Sequence, residues 1–196
     1  YYKIKEHKII SIDPSIFQGS TCTMLKNGGA VQKDMTYDQI IGRDGEGQVD
    51  TYVPARNFLF SAYTCAYAES KAQETGDEIT YYLGQHADDA IGAAYSDCTP
   101  EFVRTMAKAT EISSEGRVHT ESPFINIHKS DIIQLAIKLG LPLEYTLSCY
   151  DPEEMTISGK KYTKECGRCA TCLDVQKAMA ANGLEYRPTL IRTPKP

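Results

Sequence analysis

The sequence predicts an α/β fold built on a mostly parallel sheet, ending in a four-cysteine metal-binding segment. Three observations carry this. Short β-branched or aromatic runs alternate with stretches of helical periodicity, the pattern of strand–helix–strand units. Four of the seven cysteines crowd into residues 149–172. The chain of 196 residues is 41% hydrophobic and 24% charged, a globular composition with enough length to bury a core without disulfide staples.

The elements follow in order. Tyr1-Tyr2-Lys3-Ile4-Lys5 opens without Met or a helix start, and Lys8-Ile9-Ile10-Ser11-Ile12 reads as a buried strand stopped by Asp13-Pro14. A strand here needs neighbours, so a preceding segment is expected. Residues 13–50 are rich in Gly, Ser, Thr, Asp and Gln, with Gly28-Gly29 and Gly42-Arg43-Asp44-Gly45-Glu46-Gly47. They read as one long flexible loop. The glycines mimic a nucleotide fingerprint, but no strand enters and no apolar helix leaves. Pro54 to Lys71 reads as a helix with Leu59, Ala62, Tyr63, Ala66 and Ser70 at helical spacing, closed near Gly76. Glu78 to Gly84 is a strand. Thr99-Pro100-Glu101-Phe102 is a helix entry, with Thr99 as N-cap and Phe102, Met106 and Ala109 on one face. Arg117 to Ile127 is extended and broken by Pro123, and Ser130 to Leu139 is an amphipathic helix carrying Ile132, Ile133 and Ala136, ended by Gly140. The division expected is 1–145 for the α/β domain and 146–196 for a helical metal-binding segment.

Charge and cysteine usage bound the function. A count of 21 Lys+Arg against 26 Asp+Glu gives a net charge of −5, which argues against a general nucleic-acid coat. No apolar run approaches the ~18–20 residues of a membrane span, and no signal segment opens the chain. An odd, clustered cysteine set suggests a metal site in a reducing compartment, hence the cytoplasm.

The metal site is the strongest chemical signal. Cys166, Cys169 and Cys172 form a CxxCxxC knuckle, and a loop of 16 residues returns Cys149 to it. Four thiolates suit Zn2+ in a closed tetrahedron. An iron–sulfur cluster is the competitor, but ferredoxin knuckles continue to a Cys-Pro, whereas Leu173-Asp174-Val175-Gln176 follows here. Such a zinc ion has no open position and is structural. Cys22 and Cys65 are read as structural cysteines.

Four ordered blocks extend the reading: Thr51-Tyr52-Val53-Pro54-Ala55-Arg56-Asn57, Tyr95-Ser96-Asp97-Cys98-Thr99-Pro100-Glu101-Phe102, Ser148-Cys149-Tyr150, and the CxxCxxC knuckle. Together they resemble the 7-cyano-7-deazaguanine synthase family of queuosine precursor biosynthesis, within the PP-loop ATP-pyrophosphatase superfamily, from about Ile9 to Tyr186. The resemblance implies a PP-loop α/β domain, a homodimer, and the ATP-dependent conversion of 7-carboxy-7-deazaguanine and ammonia into a nitrile, with Mg2+ bridging the phosphates. That family carries a Ser-Gly-Gly-any-Asp-Ser phosphate loop after its first strand, and these 196 residues contain none. The expectation is that Tyr1 follows the first two strands and that the segment before it holds that loop.

Site roles follow from the resemblance, each beside a plainer alternative. Arg56 and Lys129 are cations at helix starts, opposing the dipole unless an anion binds there. Arg56 is expected to contact ATP phosphate or the acyl-adenylate, with Asn57 as support, and Lys129 a phosphate; the alternatives are a surface Arg paired with a carboxylate and a plain surface Lys neutralised by Asp131. Gly84 and His86 follow a strand's carboxyl end, where open α/β sheets bind ligands; His86 is expected either to touch nucleotide or substrate or simply to hydrogen-bond within the fold, and Asp88 or Asp89 is a candidate for magnesium. Asp97, Cys98 and Glu101 are expected to read the deazapurine, with Cys98 equally at home in a core. Two other readings compete. One is a PP-loop enzyme with another substrate, in tRNA modification or deazapurine attachment to a macromolecule. The other is a non-catalytic zinc-knuckle module, with Lys160, Lys161, Tyr162 and Lys164 as a contact surface.

Overall fold

The computed structural model describes residues 4–26, 28–45 and 47–192; Tyr1 to Lys3 and Glu46, named above, lie outside them. The five helices and five strands of the described residues run in the order α1 (Tyr37–Asp44), α2 (Arg56–Thr75), β1 (Ile79–Tyr82), α3 (Pro100–Ser113), β2 (Val118–Glu121), α4 (Lys129–Lys138), β3 (Glu153–Ile157), β4 (Lys160–Lys164), α5 (Ala170–Ala181) and β5 (Leu190–Arg192). Short 3-10 turns at Ala87–Ala93 and Ser96–Cys98 join β1 to α3.

The central unit is βαβ. β1 and β2 pair in parallel, Ile79 opposite Val118 and Tyr82 opposite Glu121, with α3 as the crossover. α2 covers the pair. Its buried residues Asn57, Ser61, Ala68 and Ala72 recur at helical spacing and are small, so the helix axis can approach the sheet closely. Ala68, Tyr81 and Val118 form the core beneath it, with Val118 wholly buried. α3 begins as expected, Phe102 N–H donating to Thr99 Oγ1 at 3.2 Å. Its buried residues are Met106 and Thr110, while Ala109 is exposed, so the predicted stripe was one position out.

Four other expectations need correction. Residues 8–12 form no strand: Ile9 is 79% exposed and no described strand pairs with this run. A β-branched run without a ladder partner has nothing to satisfy its backbone. Residues 13–50 are not one structureless loop. Thr36 and Gln39 make a reciprocal capping box that starts α1, and Ile40 and Val49 are buried with Ala94, Tyr95, Cys98 and Ala170 in a second core. α2 starts two residues beyond Pro54, after Ala55 in the left-handed region (φ 53°). Finally, the C-terminal segment is only partly helical. β3 and β4 are an antiparallel hairpin turned by Ser158 (φ 49°) and Gly159 (φ 74°), and β5 joins β4 on its other edge. Two successive positive φ values mark a type I′ hairpin turn. Among the described residues no helix is long and apolar enough to cross a membrane.

Candidate functional site

The four cysteines converge. Cys149 precedes β3, Cys166 follows β4, Cys169 is the N-cap of α5 and Cys172 lies in its first turn. Their sulfur atoms all lie within 4.8 Å of one another. Cys169 Sγ stands 3.9 Å from Cys149 Sγ and 3.5 Å from Cys172 Sγ, close to the ~3.8 Å edge of a tetrahedron with ~2.3 Å bonds. Gly167 (φ 69°) supplies the knuckle's left-handed turn. Backbone amides face the sulfurs: Cys166 N–H donates to Cys149 Sγ at 3.2 Å and Cys169 N–H to Cys166 Sγ at 3.3 Å. These donors favour thiolates. None of the seven cysteines is in a disulfide. The donor set is therefore complete for a thiophilic ion.

The surroundings brace this cage. Glu165, 4% exposed, accepts from Ser148 N–H, Tyr186 Oη–H and Thr189 N–H, each at 3.0 Å, so a buried carboxylate ties three tail segments together. Arg168 pairs with Asp34, and Lys33 bridges to Cys169, joining the knuckle to the chain before α1.

Two clefts flank the turn at Ala87–Ala93. The first, about 290 Å³, is lined by Lys129, Asp88, His128, Asp174 and Lys177, among others. Asp88 organises it. Its Oδ2 accepts from Lys129 N–H at 2.7 Å, capping α4, and its Oδ1 lies 2.6 Å from His128 Nδ1. Burial works against the Asp88 charge, but the Lys129 amide and His128 outweigh it and hold its carboxyl below the usual range. The same bond raises His128. Burial pushes Asp174 up to about 6.

The second cleft, about 280 Å³, opens past the carboxyl end of β1 and is lined by Arg56, Asn57, Phe60, Leu83, Gly84, Gln85, Asp89 and Cys98. Each cleft approaches the lower end of ligand pockets, ~300 Å³. Arg56 is half-buried, its guanidinium 5.8 Å from the centroid of the Tyr95 ring and close enough to Tyr150 to act on its hydroxyl. No described carboxylate is within ion-pair distance of it. Tyr95 is fixed in turn by Tyr37 Oη at 2.9 Å and Thr51 Oγ1 at 2.6 Å.

The residues expected at a site thus divide. Arg56, Asn57, Gly84 and Cys98 come together at the second cleft, and Lys129 lines the first. His86 lines neither; burial lowers its pKa, against the pull of Asp89. Asp97 is buried and its Oδ2 accepts from Asn57 N–H at 2.9 Å, a cap for α2 supplied from another element. Cys98 is buried, and desolvation pushes its thiol up to about 12. Glu101 is exposed on α3 and lines neither cleft. Sequence reasoning missed Tyr95 and Tyr150 as the aromatic bed of Arg56, although both stand at the edges of the motif blocks.

With this geometry in hand, comparison with known proteins is decisive. The family model described as queuosine biosynthesis protein QueC matches residues 1–183. The chain belongs to the QueC family. Its curated relatives include 7-cyano-7-deazaguanine synthase of Rickettsia felis, 32% identical over 188 residues, covering 94% of this chain and 74% of the relative. A protein of Desulfitobacterium hafniense named 7-cyano-7-deazaguanine synthase 2 is 31% identical, over 94% of this chain and 70% of its own. The synthase of Leptospira biflexa is 30% identical, over 92% and 68%. This QueC-family chain is therefore an enzyme of queuosine biosynthesis, with a parallel α/β sheet and a four-cysteine cage.

Proposed function

We propose that this chain converts 7-carboxy-7-deazaguanine and ammonia into 7-cyano-7-deazaguanine at the expense of ATP. One observation carries the reading to particular residues: Arg56, a half-buried guanidinium over Tyr95 and beside Tyr150, has no carboxylate partner among the described residues and lines a cleft at a helix start. A cation in that position calls for an anion. The substrate carboxylate and the phosphates of ATP supply it.

The chemistry needs such a group. A carboxylate is a poor electrophile because oxide is a poor leaving group. Its oxygen attacks the α-phosphorus of ATP and pyrophosphate departs, leaving an acyl-adenylate. Ammonia adds to the acyl carbon, gives up a proton, and AMP leaves, giving the amide. The amide oxygen then attacks the α-phosphorus of a second ATP and pyrophosphate departs; loss of AMP and of both amide protons gives the nitrile. Arg56 would balance the charge on the acyl phosphate, with Asn57 beside it; Lys129, in the neighbouring cleft, would meet phosphate. Asp89, which lines the same cleft as Arg56, or Asp88 in the neighbouring cleft, would hold magnesium; the oxygens of Asp88 are engaged by Lys129 N–H and His128, and those of Asp89, more loosely, by His86. Magnesium would offset phosphate charge.

The cage fits Zn2+, held by Cys149, Cys166, Cys169 and Cys172, with the ion clamping the C-terminal segment. Reduced thiols of this kind belong in the cytoplasm, and we place the enzyme there as a homodimer. The direct test is incubation of the purified protein with the deazaguanine acid, ammonium and Mg·ATP. The nitrile and AMP, in a ratio of one to two, are expected by mass spectrometry; AMP without nitrile would refute the substrate assignment.

A further inference from the structure

The second cleft contains a polar group that the folded chain leaves unused. Gln85 is 4% exposed, yet its Nε2 has no hydrogen-bond partner among the described residues. Its Oε1 does have one, since the Ser122 hydroxyl donates to it at 2.8 Å. A buried amide donor left unpaired is costly, and such atoms call for an explanation. The holding is firm. Gln85 lies just past the end of β1, and Ser122 is the first residue beyond β2. Their bond joins the carboxyl ends of two strands that pair in parallel, the place where such sheets meet ligands.

We infer that Gln85 sets the base specificity of this cleft, its Nε2 donating to the ring carbonyl of a guanine-like base. This rests on the reading of a deazaguanine acid as substrate. The wall divides the work. Arg56 is charged and suits an anion. Gln85 is neutral and lies beside Leu83 and Phe60, whose apolar surfaces suit the face of a ring. A neutral donor on a neutral carbonyl buries no unpaired charge. A base with an amino group at that position would set donor against donor and leave both unsatisfied, which is how a prepositioned amide rejects a close analogue.

The test is equilibrium binding, by calorimetry, of 7-carboxy-7-deazaguanine and of its diamino counterpart, in which an amino group replaces the ring carbonyl. The proteins are wild type, Gln85→Met and Gln85→Glu, with thermal melting as the check on folding and ATP binding as the control. Wild type is expected to prefer the carbonyl compound by about tenfold. Gln85→Met should lose about that factor on the carbonyl compound and with it the preference, while ATP binding stays unchanged. Gln85→Glu should invert the preference, since a carboxylate accepts from the amino group. If Gln85→Met does not fold, Ser122→Ala, which releases the amide, should weaken the preference instead. Wild type that binds the acid without discrimination overturns the inference and leaves the proposed function standing. A Gln85→Glu protein that keeps the carbonyl preference also overturns it, because the discrimination would then come from another group. Wild type that binds neither compound overturns the substrate reading and the inference together.

Discussion

At the scale of residues, charge placement separates binding from stability. Arg56 rests on an aromatic bed, with no carboxylate at ion-pair distance among the described residues, so the fold gains little from its charge. Arg56→Met should lower turnover about a hundredfold and leave the melting temperature within about 2 °C; a large loss of stability would mark Arg56 as structural. Asp88 behaves differently, because it caps α4 and holds His128. Its lowered pKa contributes stability above its ordinary value near 4, lost as pH falls further. The raised pKa of His128 contributes below about 6.5 and is lost as pH climbs through it. Both act in full only between about pH 4 and 6.5. Asp88→Asn keeps an acceptor for the cap and removes the charge. The melting-temperature gap from wild type should be widest in that window, about 2 °C for a partly solvated group, smaller above pH 8 and absent near pH 2. Arg56 and Lys129 were legible in the sequence because a cation at a helix start contradicts the dipole. Asp97 and Gln85 were not: which backbone amide a carboxylate caps, and whether an amide is buried, depend on elements far apart in sequence.

At the scale of elements, periodicity decided what could be read. α2, β1, α3, β2 and α4 bury one face, so their apolar spacing announces them, with errors of a few residues at the ends. α1 carried its own signal, Thr36 followed three residues later by Gln39, obscured by the glycines nearby. Thr36→Ala should cost about 1 kcal/mol, measurable by denaturant unfolding, and an unchanged midpoint would mean that α1 adds nothing to the second core. The β3–β4 hairpin was invisible for a different reason. Every residue of Glu153–Ile157 and Lys160–Lys164 is exposed or half-buried, with charges on both strands, so the apolar alternation is confined to Met155 and Ile157 and is too short to announce a strand. Only the Ser158-Gly159 pair marks the turn.

At the scale of the whole molecule, the cysteine cage links three regions: the chain before α1 through Lys33 and Asp34, the hairpin, and α5. If it holds zinc, chelation should lower the melting temperature by on the order of 10 °C. It should also expose four further thiols to a thiol reagent; equal reactivity before and after chelation would mean that no ion was held. The arrangement of Arg56 over Tyr95 has a photophysical consequence. The chain has 13 tyrosines and no tryptophan, so its ultraviolet emission comes from phenol rings alone. Tyr95, buried and bonded to Tyr37 and Thr51, has a cation resting on its ring that an arriving anion would draw away. Occupancy of the second cleft should therefore register as a change in native phenol fluorescence, a label-free signal that Tyr95→Phe would alter and Arg56→Met would abolish.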